Sequence, residues 1–188
     1  MSSIVDKTKK HFLTSIHNGD PTYFRFPQHA QEVERWVHKI LHFYPEADKE
    51  VVLISVWLHD IGQADGNYDV DHAIKSEEET ISFLSKNNYP KDKIDKVAHC
   101  VRAHRCKDVQ PNSIEAKILA TADSASHMTD IIYFLMLSEE HLPKDKVLDK
   151  LERDYREKNF LPKELQPEVN DLYEAWKGLI KAFPEHNE

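Results

Sequence analysis

Apolar residues recur at helical spacing along nearly the whole 188-residue chain, while the strict alternation of a half-buried strand is hard to find. In FPQHAQEVERWVHKILHFY (residues 26–44), Val33, Trp36, Val37 and Ile40 fall on one face, as in a helix that turns a single stripe to its core. The same periodicity predicts helices at about 2–17, 28–44, 48–61, 72–88, 91–104, 113–137, 143–158 and 164–183. Between them lies turn-forming punctuation: HNGDPT, YPEAD, GQADGNYDVD, NNYPKD, KDVQPNS, HLPKD and NFLPKEL. The fold class is therefore all-α. No repeat or low-complexity linker divides the chain, so one helical domain is expected over residues 1–188. Leu151, Tyr155, Leu172, Trp176 and Ile180 give the helices of 143–183 apolar stripes, which more often pack onto a core than form a partner groove.

Composition narrows the possible partners. With 40% apolar residues the chain can bury a full core, and only four glycines interrupt it. The 33 acidic residues outnumber the 25 basic ones for a net charge of −8, and no Lys/Arg block stands out, so nucleic acid is not an expected partner. The opening MSSIVDKTKKHFLTSI lacks the apolar core of a signal peptide and no apolar stretch is of membrane-spanning length, so a cytoplasmic protein with no membrane partner is expected. Cys100 and Cys106 are too few for a disulfide framework.

Twelve histidines are a mild excess, and their placement matters more than their number. His38 and His42 form an i, i+4 pair away from the apolar stripe and are expected in solvent. His29 lies on the stripe itself; a lone core-facing His is commonly a hydrogen-bonded structural residue, and a ligand role stays open beside that. In EVVLISVWLHDIG, Val52, Val56 and His59 share a face, and the last turns contain almost nothing polar except His59 and Asp60. A carboxylate buried there needs a cationic partner, a proton or a metal, and a metal satisfies imidazole and carboxylate together. A salt-bridged pair at a helix end is the structural alternative. Asp123 sits in the helix IEAKILATADSASHMTD among Ala116, Ala120, Ala122, Ser124 and Ala125, small residues that let another helix or a ligand approach closely.

His29, then His59–Asp60 thirty residues later, then Asp123 after the stretch VRAHR, resembles the HD-domain superfamily of metal-dependent phosphohydrolases over about residues 25–130. The resemblance implies a five-helix core, extra C-terminal helices packed on it, and His29, His59, Asp60 and Asp123 as ligands of one divalent metal. His72 and His104 stand where two-metal members add histidines, as in the symmetrical diadenosine tetraphosphate hydrolases and the mixed-valence di-iron oxygenases. Asp60 would then be shared by two ions. Iron, manganese, nickel, cobalt, zinc and magnesium all remain candidates. The implied chemistry is hydrolysis of a phosphate ester or nucleotide by metal-activated water, with Asp60, His72, His104 and Arg102 in catalytic roles. Arg105, Lys75 and Lys107 are further phosphate-gripping candidates. The expected partner is a small phosphorylated molecule or nucleotide, with a second copy of the chain as a possible homodimer.

His99 is five residues before His104, about 140° around the helix, so a pocket or structural role suits it better than ligation. A zinc site from Cys100, His104 and Cys106 is a weak rival, since no second Cys pair completes four ligands. Many relatives read HDIGK, whereas Gln63 follows HDIG here. That departure weighs against a di-iron oxygenase, in which such a Lys contacts substrate. A non-catalytic metal-binding helical protein is the other alternative.

Overall fold

The computed structural model describes residues 2–16, 25–64, 66, 69–139 and 142–184. Among these the secondary structure is entirely helical: α1 (Ile4–Ser15), α2 (Arg25–Leu41), α3 (Lys49–Leu58), α4 (His72–Lys86), α5 (Lys91–Ala103), α6 (Ile114–Ser126), α7 (Ile132–Ser138), α8 (Lys144–Arg156) and α9 (Gln166–Ala182). The punctuation HNGDPT falls on residues 17–22, outside the described residues, as do parts of GQADGNYDVD and HLPKD.

Side-chain caps set several starts. Ser3 and Asp6 form a capping box on α1, Asp48 accepts from the Glu50 and Val51 amides of α3, Asp71 accepts from Ala73 at α4, and Ser113 accepts from Ala116 at α6. The helix expected over 113–137 is instead two, α6 and α7. At the break, the Ser126 hydroxyl donates to the Asp123 carbonyl at 2.7 Å and Asp130 accepts from the Ile132 amide at 2.8 Å. Such short polar side chains compete with the helical ladder for backbone partners, and here they win.

Helix α2 packs on α6 and α3, α3 on α5, α4 on α5, and α1 on α3. Trp36, Trp57, Leu58, Leu119 and Tyr133 lie fully buried in an apolar cluster that runs from Phe12 to Ile180. Their burial stabilises the fold by roughly 2–3 kcal/mol per large side chain. Helices α8 and α9 pack together and α8 meets α6 and α7; the Trp176 indole donates to the Met128 carbonyl at 2.8 Å. No described helix is long and apolar enough to cross a membrane.

One glycine matters to the geometry of the site. After α3 a single 3-10 turn, Ile61–Gln63, carries the chain past the start of α4. The Gly62 amide donates to the Ser76 hydroxyl at 2.9 Å, and a Cβ on Gly62 would lie 2.5 Å from the His72 carbonyl oxygen and 2.7 Å from the Ser76 nitrogen. Only glycine allows so close an approach. It brings the end of α3 against the first turn of α4, and with it Asp60 against His72.

Candidate metal centre

Five helices deliver six side chains to one place. His29 comes from the buried stripe of α2, and Asp123 from α6. His59 and Asp60 follow α3, His72 opens α4, and His104 follows α5. They form two groups, each with its ligand atoms within 4.8 Å of one another: an inner group of His29, His59 and Asp123, and an outer group of Asp60, His72 and His104. In the inner group the His29 and His59 Nε2 atoms are 3.3 Å apart, and Asp123 Oδ1 lies 3.1 Å from the first and 3.7 Å from the second. In the outer group the Nε2 atoms of His72 and His104 are likewise 3.3 Å apart, with Asp60 Oδ1 at 3.2 and 3.8 Å. The other Asp60 oxygen, Oδ2, is turned to the inner group, 3.5 Å from His59 and 3.9 Å from His29.

The remaining ring nitrogens fix which atoms face inward. His59 Nδ1 donates to the Val56 carbonyl at 2.7 Å, His104 Nδ1 to the Val101 carbonyl at 2.6 Å, and His29 Nδ1 to Asp130 at 3.0 Å. In a neutral ring the proton on Nδ1 leaves Nε2 as a bare lone pair. The inner group therefore aims two lone pairs and a carboxylate oxygen at one point, an arrangement that calls for positive charge between them. A divalent cation supplies it, and imidazole nitrogen with carboxylate oxygen is a donor set that such ions accept.

Electrostatics separate the two groups. Burial works against a charge on His29, but the carboxylates of Asp123 and Asp130 outweigh it and push the ring up to about 10. His104 goes the other way, down to about 4, through burial and the neighbouring His59. Asp60 and Asp123 are held below the usual carboxylate range, because the surrounding histidines overcome a large burial penalty. A proton in the inner group thus stands where a cation would.

The centre opens into a cavity of about 260 Å³ that also takes in Gln63, Arg105 and Lys107. Arg102 is not among the residues lining it. That guanidinium is engaged by Asp108 and by Glu77 at 3.5 Å, so the structure does not bring it to the centre. The positions of Arg102 and His104 differ by about 200° around α5. His99 is likewise outside the lining, its Nε2 accepting from the Asn112 amide at 3.3 Å. His38 and His42 are exposed as expected. Among the described residues neither cysteine joins a metal-ligating group; Cys100 is buried and free.

Sequence reasoning missed a second layer of the site. His127 stacks on His29 with ring centres 5.1 Å apart and 5° between planes, and its Nδ1 lies 3.2 Å from the buried Asp154. Lys150 donates to the same carboxylate at 2.7 Å, and the Tyr133 hydroxyl donates to it at 2.8 Å. Ser124 donates to Glu157 at 2.6 Å; burial, together with the charges of Asp123 and Asp154, pushes Glu157 up to about 7. A readable signal was present in KLERDYRE: Lys150, Arg153, Asp154 and Glu157 repeat at i, i+3, i+4 and i+7, a polar stripe on one face of α8.

No curated protein and no solved structure matches the chain. A family model described as the HD domain matches residues 27–128, which takes in all six converging residues and more than half of the sequence. The chain belongs to the HD-domain family.

Proposed function

We propose that the chain is a metal-dependent phosphohydrolase acting on a small phosphate ester or nucleotide. His29, His59, Asp60, His72, His104 and Asp123 hold two divalent ions in this reading. The observation that carries it is the Asp60 carboxylate, which turns one oxygen to each histidine pair in a cavity that Arg105 and Lys107 also line. Bound there, the ions supply Lewis acidity toward water and phosphoryl oxygen. The protein's own part is orientation and charge. The Val56 and Val101 carbonyls and Asp130 hold three rings with Nε2 forward. Arg105, itself anchored to Asp71, and Lys107 meet phosphate oxygens beside the outer group. The Gln63 amide, in the cavity wall, orients substrate by hydrogen bonding but brings no charge. The missing Lys charge favours phosphate hydrolysis over the oxygenase alternative.

The test is metal analysis of protein purified without added metal or chelator, followed by assays on p-nitrophenyl phosphate, its diester and a nucleotide panel. Two ions per chain are expected, with hydrolysis that chelation removes and manganese, iron, cobalt, nickel, zinc or magnesium restores. Absence of hydrolysis with every one of these ions overturns the reading.

A further inference from the structure

The HD match ends at residue 128, and one wall of the cavity is built beyond it. Helix α8 and the turn after it contribute Lys150, Arg153, Asp154 and Glu157 to the lining. Most of these charges are already engaged. Lys150 is paired with Asp154, which also takes the Tyr133 hydroxyl, and Glu157 holds the Ser124 hydroxyl. Arg153 is different. It is exposed, lines the cavity and makes no ion pair among the described residues; Arg25, which opens α2, is half-buried against the Phe26 ring, lines the same cavity and likewise makes no ion pair among the described residues.

Five acidic side chains (Asp60, Asp123, Asp130, Asp154 and Glu157, the last pushed up to about 7) and five cations (Arg25, Arg105, Lys107, Lys150, Arg153) line the cavity and nearly cancel. Two divalent ions add four positive charges, whereas a phosphomonoester brings at most about two negative ones. A substrate with one phosphate leaves the cavity electropositive, and Arg153 and Arg25 without a counter-charge among the described residues.

We infer that Arg153 and Arg25 form a second anion subsite, so that the substrate carries two separate anionic groups: a phosphoryl group at the ions and a further phosphate or carboxylate at these guanidiniums. The inference rests on the phosphohydrolase reading for its first group and on the α8 wall for its second. Arginine suits the task because its planar fork meets carboxylate or phosphate with two parallel hydrogen bonds. Specificity then resides in residues outside the HD match, Arg25 before it and Arg153 after it.

The test is calorimetric binding to the manganese-loaded full chain of three non-hydrolysable probes: methylphosphonate, methylenediphosphonate and phosphonoacetate. The doubly anionic probes are expected to bind about tenfold more tightly than methylphosphonate, as a charged hydrogen-bonded pair warrants. Which of the two gains more identifies the second group as phosphate or carboxylate. Arg25→Ala/Arg153→Ala brings the ratio close to one with manganese content unchanged, Arg153→Lys restores part of it, and Lys181→Ala, on the exposed face of α9, leaves it intact. A ratio unchanged in the double variant overturns the subsite. Phosphatase assays keep the two ideas separate. No hydrolysis with an Arg-dependent ratio sinks the function and leaves the subsite, while hydrolysis with an Arg-independent ratio does the reverse.

Discussion

The inner and outer groups use the same chemistry in different surroundings. The inner histidines are 11% and 2% exposed at their side chains, and Asp130 and the Val56 carbonyl hold their outward nitrogens. In the outer group His104 is just as buried, but His72 is 24% exposed on the first turn of α4. His29 is pushed up to about 10, and His104 down to about 4. An ion entering the inner group must displace a proton but then finds ligands held from behind. One entering the outer group meets a neutral ring and a more accessible partner. With ions bound as proposed, the inner position would retain its ion and the outer would exchange it.

The widest break of this contrast is Asp60→Ala, which removes the carboxylate facing both groups. Both ions are expected to be lost by metal analysis and hydrolysis to fall to background, while the circular dichroism stays helical; retained activity would sink the assignment. His72→Ala divides the groups, with one ion retained per chain and a collapse of turnover. If both ions leave together, the groups are not separable. Asp130→Asn acts from behind His29 and is expected to weaken inner-group affinity by about 10–100-fold, measured by competition with a chelating dye. Equal weakening at both positions would contradict the contrast. The smallest effect is in protons. At pH 8 the inner group still holds the His29 proton, whose release by an incoming ion makes inner affinity climb with pH until about 10, whereas His104 is neutral above about 4 and adds no such slope. Calorimetry in two buffers of different ionisation enthalpy reads about one proton for the inner ion; none there would refute the assignment.

Much of this molecule was legible in its sequence, for reasons that differ by element. Helical periodicity located the helices because apolar stripes dominate them, and His29 stood out because it occupies a stripe position between Phe26 and Val33. The His59–Asp60 pair was conspicuous because the last turns of α3 hold nothing else strongly polar. The break at residues 127–131 was hidden, since Ser126, Thr129 and Asp130 read as helix-compatible until their hydrogen bonds to the backbone are seen. His127 and Asp130 went unnoticed for the same reason: they sit at that break. Arg102 was chosen for its closeness to His104 along the chain, although two residues on a helix point to nearly opposite sides. The α8 stripe was passed over because charged residues at helical spacing are ordinarily a solvated face.

His59 and His104 share one further property. Each is the C-cap of its helix, α3 or α5, and each donates Nδ1 to the carbonyl three residues back. Those carbonyls belong to the last turn, where the helical ladder leaves acceptors without partners. The ring is therefore oriented by the helix end itself and not by an ion. An ion bound there would need no ring flip or tautomer exchange at these two positions. A helix terminus acts here as a device for setting ligand direction in advance, and lengthening either helix by one residue would turn the imidazole away while leaving the composition of the site unchanged.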